Sequence, residues 1–292
     1  MAVATRLEIH PIAGALGAEI HGVDLARDTD DATIAGIREA LLEHCVVFFR
    51  DQTLNADQQK RLARRFGDLF VHPNYVGLQA DPEIVEIRRE PGDTRIVGED
   101  WHTDTTMVAD PPMGAILYAI EVPPYGGDTL FANQYLAYEA LSDGMKRLLS
   151  TLRAVHSDRK VAGPKSGANV GRSTKARDDD TWRETVSVHP VVRTHPETNE
   201  KVLFVNAFTT HFVNFHTPAN VRYGQDFAPG ASDLLNYLIG RAAIPEYQVR
   251  WRWTPNSVAI WDNRCTQHYA VQDYWPAVRK MERAGIVGDP TY

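Results

Sequence analysis

The sequence predicts a mainly β fold, with many strands closing into a barrel or sandwich and helices around the outside. Short segments rich in β-branched and aromatic residues recur from residue 84 onward: EIVEIRRE, GAILYAIEV, DTLFANQ, HPVVRTH, KVLFVNAF, YQVRWRW, SVAIWDN and KMERAGIVG. Several alternate apolar and polar residues, the pattern of a strand buried on one face. Turn signals such as PPYGGD (123–128) and HPETNE (195–200) separate them.

The earlier part of the chain supplies the outer helices. Residues 6–25, around GALGAEIHGVDL, read as short strands joined by a Gly-rich turn. Ile34, Ile37, Ala40 and Leu41 recur at helical spacing, so 30–44 reads as an amphipathic helix. CVVFFR, 45–50, is a short apolar run expected to be a buried strand. Asn55 is a good N-cap with Gln58 at the capping-box position, predicting a helix to Phe66 that Gly67 ends. Two further helices are expected near 134–153 and 231–241. The segments 161–180 and 212–230 lack periodicity and are expected to be lids or loops. No internal repeat is visible, so one domain spanning 1–292 is expected.

Composition bounds the function. With 43% hydrophobic and 24% charged residues, the chain can bury a large core without a disulfide or structural metal. Cys45 and Cys265 are far apart and form no framework or zinc cluster, which suits a reducing cytoplasm. The start, MAVATRLEIH, has no apolar run of a signal peptide. No stretch approaches the roughly 20 apolar residues that span a bilayer. The net charge of -7 comes from interspersed acids and bases, unlike a nucleic-acid footprint. The expected partner is a small molecule, with no nucleic acid and no membrane.

The chemistry starts at WHTDTT, 101–106. On a strand, residues i and i+2 point to one face, so His102 and Asp104 would converge on one point. An imidazole and a carboxylate together suit a borderline metal. An H-x-D triplet is common by chance and needs a third ligand. SVAIWDNRCTQHYA places His268 after a buried strand and a turn built on Asp262 and Asn263. Two histidines and a carboxylate form the facial triad of non-haem iron(II) oxygenases, which leaves positions open for O2 and a chelating co-substrate. A hydrolytic zinc site with three protein ligands is the competing reading. In KMERAGIVGD, Arg283 follows Arg279 by four residues, so an extended segment keeps both on one face. Buried guanidinium groups are costly unless they meet carboxylates, which two anionic ligands would supply. Surface ion pairs are the plainer alternative.

The run from WHTD through GGDT to WDNR-x-x-x-H and the final arginine pair resembles the taurine dioxygenase family of iron(II)/2-oxoglutarate oxygenases, over nearly the whole chain. The resemblance implies a double-stranded β-helix, or jelly roll. It implies iron(II) held by His102, Asp104 and His268, with 2-oxoglutarate and O2 as co-substrates. Thr129 and Arg279 would bind the distal carboxylate of 2-oxoglutarate, and Arg283 the acidic group of the substrate. His72 and Tyr75, in HPNY, would contact the substrate, and Phe208 would wall the pocket. Trp251, Trp253 and Trp261 read as strand core, and Trp101 as a shield beside the metal.

The departures concern the substrate. Gly98 stands where taurine enzymes carry an Asn, and Val161 and Ala162 where a Ser and a Phe line the pocket. A zwitterion needs polar groups for its ammonium, so a roomier, more apolar pocket is expected, with Val161 on the substrate side. RREPGDTRIVGEDWHTDTT also resembles the aryloxypropionate dioxygenases. The expected activity is hydroxylation of a small anionic organic substrate, a sulfonate or related acid, at a carbon next to a heteroatom. It would give succinate, CO2 and a cleaved product such as an aldehyde plus sulfite. Aryloxyalkanoates and alkyl sulfate esters are alternatives within the family; a zinc hydrolase or non-catalytic jelly-roll binding protein is the alternative outside it. The resemblance also implies a homo-oligomer, a dimer or tetramer.

Overall fold

The computed structural model describes residues 7–27, 29–95, 98–162, 170–174, 176, 182–216 and 229–292. The chain opens with a hairpin of β1 (Glu8–Pro11) and β2 (Ala18–His21). Helix α1 (Asp31–His44) follows, its first turn capped where the Asp30 carboxylate accepts the Thr33 N–H. Cys45, at φ 62°, ends it and turns directly into β3 (Val46–Phe49). The predicted capping box of Asn55 and Gln58 opens α2 (Ala56–Arg64). After β4 (Leu69–Phe70) and β5 (Ile84–Arg89) come β6 (Gly114–Glu121) and β7 (Thr129–Asn133).

The middle of the chain differs from expectation. In place of one helix over 134–153 there are α3 (Gln134–Glu139), α4 (Asp143–Leu149) and the start of β8 (Arg153–Ser157). Asn133 and Ser142 each cap a fresh helix, which breaks the expected one in two. Then follow β9 (Val186–Pro190), β10 (Val192–Thr194), β11 (Lys201–Leu203), β12 (Thr209–Phe212) and α5 (Pro229–Gly240). The last strands are β13 (Gln248–Trp251), β14 (Val258–Asp262), β15 (Thr266–Ala270) and β16 (Arg279–Ile286). Most of the segments expected as lids lie outside the described residues; 212–230 contributes the end of β12 and the first two residues of α5.

The main sheet has the order β1-β2-β3-β14-β6-β16, with β4 and β5 along the far edge of β16. A smaller antiparallel sheet has the order β13-β7-β15. Strands β12-β8-β9 and the hairpin β10-β11 form two more small sheets. The central strands of the main sheet are buried on both faces, and alternation sorts their residues. Val47, Phe49, Ile116, Ile260, Ala284 and Ile286 face α1 and α2 and pack with Ile37, Leu41 and Leu62. Val46, Phe48, Leu117, Ala259, Trp261 and Met281 face the other way and pack with Phe131, Val249 and Trp251 of the smaller sheet. The predicted core tryptophans Trp251, Trp253 and Trp261 are all in this second layer. A third core joins α3, α4 and α5 to β8, β11 and β12. Among the described residues no helix is long and apolar enough to cross a membrane.

This layering positions the site. On β16, Arg279 and Arg283 share the face of Met281, so both point into the layer between the sheets. On the opposing sheet, His268 of β15 pairs with Phe131 of β7, two residues from Thr129. Arginines from one sheet thus face a histidine and a threonine from the other.

Candidate active site

His102 and His268 form an isolated antiparallel bridge. Each backbone N–H donates to the carbonyl of the other, at 3.1 and 2.8 Å. The two imidazoles lie 4.1 Å apart, centroid to centroid. Asp104 is not reached by strand alternation as predicted. His102 is a single bridge residue, and Asp104 sits in a turn followed by Thr105 at φ 53°. The convergence is nevertheless real. Asp104 Oδ1 is 3.7 Å from His102 Nε2 and 3.9 Å from His268 Nε2. The ligand atoms of all three residues lie within 4.8 Å of one another.

Asn263 holds that turn in place. Its side-chain oxygen accepts the Asp104 N–H at 2.8 Å, and its amide donates to the carbonyls of Asp104 and Pro112, both at 3.0 Å. Thr103 Oγ1 donates to the Thr266 carbonyl at 3.0 Å. The loop carrying two of the triad residues is therefore sewn to the β14–β15 turn that carries the third. The carbonyl of Asp100 accepts from His102 Nδ1 at 2.7 Å, which leaves Nε2 of a neutral ring as the lone-pair nitrogen.

The triad fits a cation. Among the described residues, the buried Asp104 Oδ2 has no hydrogen-bond partner, although a buried carboxylate oxygen normally has one. Burial alone would raise the Asp104 carboxyl, but Arg283, then His268, His102 and His72 outweigh it and hold it well below its ordinary range. Burial, then the neighbouring His102, pushes His268 down to about 3. The site is thus poised with an ionised carboxylate and a neutral imidazole, the forms that ligate metals.

Arg283 Nη1 donates to Asp104 Oδ1 at 2.8 Å. It lines a cleft that also reaches His102, Asp104, His72, Tyr75, Val161 and Phe208. The cleft joins every residue predicted for the substrate side. Gly98 also lines it, at φ 84°, and a Cβ there would come within 3.2 Å of the His102 ring. Ala162, by contrast, is buried and does not line it. His72 Nδ1 accepts the N–H groups of Asn74 and Tyr75 at 3.0 and 3.1 Å, so Nε2 carries the proton of the neutral ring and faces Thr105 Oγ1 at 3.2 Å. The Phe208 ring meets His102 edge-on at 5.7 Å. Trp101 lies against Tyr269, at 5.7 Å between rings.

Thr129 and Arg279 do not line this cleft; they sit deeper, on the facing strands β7 and β16. Arg279 is buried and donates from Nε to the Gly127 carbonyl at 3.1 Å. Gly127 lies at φ 69°, and a Cβ there would crowd Arg279, Tyr274 and Pro123, so the GGDT turn needs glycine at this position. Among the described residues no carboxylate lies within 4 Å of the Arg279 guanidinium. Burial pulls its pKa below the ordinary arginine value, with Tyr274 and Asp128 only partly opposing this. Burying a cation with no carboxylate in direct contact among the described residues is costly. Thr129 is a diagonal neighbour of His268 across the β7–β15 pair, a separation of roughly 7–8 Å on one face.

Two polar networks behind the site escaped the sequence reading. Asp262 is fully buried and accepts from the Nε and Nη2 groups of Arg264 at 2.9 and 2.6 Å and from His195 Nε2 at 3.0 Å. Arg264 reaches on to Glu197 at 2.7 Å. The WDNR motif thus braces the turn before His268. His156 and His189 lie buried near the ends of β8 and β9, around Thr106, whose hydroxyl is 2.9 Å from His156 Nδ1 and whose carbonyl accepts from His189 Nε2 at 2.8 Å. These histidines carry no sequence signal, because their partners are distant in the chain.

Comparison with known proteins agrees with this arrangement. Residues 8–284 match the model of the family described as taurine catabolism dioxygenase TauD, TfdA. The chain is 35% identical over 288 residues to an alpha-ketoglutarate-dependent sulfate ester dioxygenase of Pseudomonas putida, covering 98% of this chain and 91% of that one. It is 35% identical over 289 residues to an alkylsulfatase of Acinetobacter baylyi, covering 98% and 86%. The crystal structure of a taurine dioxygenase from Burkholderia xenovorans superimposes with a TM-score of 0.77 at 35% identity, covering 98% of this chain and 90% of that one. The chain belongs to the taurine catabolism dioxygenase TauD, TfdA family.

Proposed function

We propose that this protein is an iron(II)- and 2-oxoglutarate-dependent dioxygenase that hydroxylates a small anionic organic substrate, a sulfonate or related acid, at a carbon next to a heteroatom. The observation that carries the reading is the pairing of two features in one interlayer space. One is a triad of two imidazoles and a carboxylate, whose Oδ2 is buried without a partner among the described residues. The other is a buried arginine with no carboxylate within 4 Å among the described residues.

His102, Asp104 and His268 would hold the iron. Bound there, iron(II) with 2-oxoglutarate and O2 supplies the oxidation that replaces a C–H hydrogen by hydroxyl, with succinate and CO2 as co-products. The chain's own residues orient and exclude. Arg279 and Thr129, the latter diagonal to His268 across the β7–β15 pair, would donate hydrogen bonds to the far carboxylate of 2-oxoglutarate. Arg283 supplies the positive charge for the substrate anion while steadying Asp104. His72, Tyr75, Val161 and Phe208 form the walls that turn one substrate carbon toward the metal and keep water out. Hydroxylation next to sulfur or oxygen yields a product that collapses to an aldehyde and releases sulfite or sulfate. The sulfate ester activity of the Pseudomonas relative supports placing alkyl sulfates beside sulfonates among the substrates to test.

The same reading takes the fold as a double-stranded β-helix, supported by two largely antiparallel sheets packed face to face around Phe48, Phe131 and Trp251. It takes 1–292 as one domain, a homodimer or tetramer in the cytoplasm; the two buried thiols suit that compartment. The test is succinate release by anaerobically iron-loaded protein against a panel of sulfonates, sulfate esters and aryloxyalkanoates. One class should couple succinate to product. If none triggers turnover and iron does not bind, the reading is wrong.

A further inference from the structure

We infer that Trp253 is a positioning residue for the co-substrate: its indole N–H occupies the acceptor side of the Thr129 hydroxyl and so forces that hydroxyl to donate. This rests on the reading of Thr129 and Arg279 as the carboxylate site. Trp253 Nε1 lies 2.9 Å from Thr129 Oγ1, with both side chains buried. An indole N–H is a donor only, so the hydroxyl oxygen must accept. The hydroxyl hydrogen then has to point elsewhere, and it has no acceptor among the described residues. A hydroxyl that accepts one hydrogen bond donates a stronger one through mutual polarisation.

Arg279, hydrogen-bonded to Gly127 two residues before Thr129, adds further donors. The Arg279 guanidinium carbon is 6.0 Å from the centre of the Trp253 ring, with Nη1 and Nη2 not engaged by any carboxylate among the described residues. One tryptophan therefore walls the guanidinium with its ring and sets the direction of the hydroxyl with its N–H. The resulting cradle offers donors alone, the complement of a carboxylate, which when ionised only accepts. An amidated end would bring N–H donors against these donors and bind more weakly.

Core filling does not account for the contact. Trp251 and Trp261 lie in the same layer, and their Nε1 atoms are buried without a partner. A satisfied indole is therefore not automatic in this core, and the one that is satisfied points at Thr129.

The test is a double-mutant cycle read by calorimetry. N-oxalylglycine is titrated into Mn(II)-loaded wild type, W253F, T129V and W253F/T129V, with Mn(II) affinity measured in each. W253F should weaken N-oxalylglycine about 3- to 10-fold, the scale of one directed hydrogen bond. T129V should weaken it about as much or more, and the double variant no further than T129V. Mn(II) affinity should stay within about 2-fold in all four. Additive losses, or full affinity in W253F alongside a weakened T129V, overturn the inference. Full affinity in T129V instead overturns the underlying reading of Thr129. If W253F folds poorly, 3-benzothienylalanine at position 253, which replaces the N–H by sulfur at nearly constant shape, is held to the same criteria.

Discussion

Replacing Arg279 by Met should make the metal-free protein no less stable while nearly abolishing co-substrate binding. The side chain is buried, and its one hydrogen bond among the described residues is from Nε to the Gly127 carbonyl. With no carboxylate within 4 Å among the described residues, the folded chain bears much of the cost of a desolvated cation, which is why burial depresses its pKa. Methionine fills similar space without a charge, and replacing buried charge by an apolar side chain is often neutral or stabilising. The lost Nε–Gly127 bond costs about 1 kcal/mol, which the removed desolvation offsets. Binding should respond in the opposite direction. Two charge-assisted bonds to a carboxylate contribute about 1.5–3 kcal/mol each, or roughly 3–6 kcal/mol together. At about 1.4 kcal/mol per tenfold, the dissociation constant should rise roughly 10²- to 10⁴-fold. Thermal scans of the metal-free proteins and titration of 2-oxoglutarate into the anaerobic Mn(II) forms measure the two effects. A Tm loss of more than about 5 °C, beyond what one hydrogen bond explains at this chain length, would show that Arg279 is paired for stability. A loss of affinity under tenfold would show that it does not bind the carboxylate.

Asp104→Asn keeps the shape of the turn held by Asn263 but removes the charge, and Mn(II) or Co(II) affinity should fall at least about 100-fold; retained affinity would exclude Asp104 as a ligand. Asp262→Asn uncouples Arg264 and His195 inside the core and should cost about 3–5 kcal/mol, or roughly 6–20 °C in Tm. A change under about 2 °C would show that the network is not structural. Burial, then the adjacent His189, depresses the His156 pKa, so the folded state holds it neutral. Its contribution is complete above the unfolded value of about 6.5 and is lost as pH falls below it. His156→Gln should therefore flatten the decline of Tm between about pH 6.5 and 5, and an unchanged slope would mean that His156 does not charge on unfolding.

The strands were legible wherever alternation or a long apolar run marked them. GAILYAIEV, SVAIWDN and KMERAGIVG became β6, β14 and β16 to within a residue or two. Three of the strands that went unseen, β8, β12 and β15, are short and polar: RAVHS, TTHF and TQHYA. Partners across a sheet make them strands, and local propensity does not reveal partners. β15 carries His268, so the reading that placed His268 just beyond a strand missed the element that aims it. The H-x-D pair was found for a reason the structure corrects, because a turn clamped by Asn263 delivers Asp104, rather than strand alternation.

By itself the sequence determined which residues could do chemistry: an imidazole–carboxylate pair, a second histidine, two arginines at a spacing that shares one face, and a glycine turn before a threonine. Those signals are local, carried by residue type and period. Only the tertiary structure decided how they meet. It paired the His102 and His268 backbones across 166 residues (268 − 102), set Arg279 and Arg283 of one sheet against Thr129 and His268 of the other, and placed Trp253 on the Thr129 hydroxyl. The physical reason is that hydrogen-bond satisfaction and charge burial depend on neighbours in space. A lone Asp104 oxygen or a guanidinium without a carboxylate becomes meaningful once the surrounding core has excluded water.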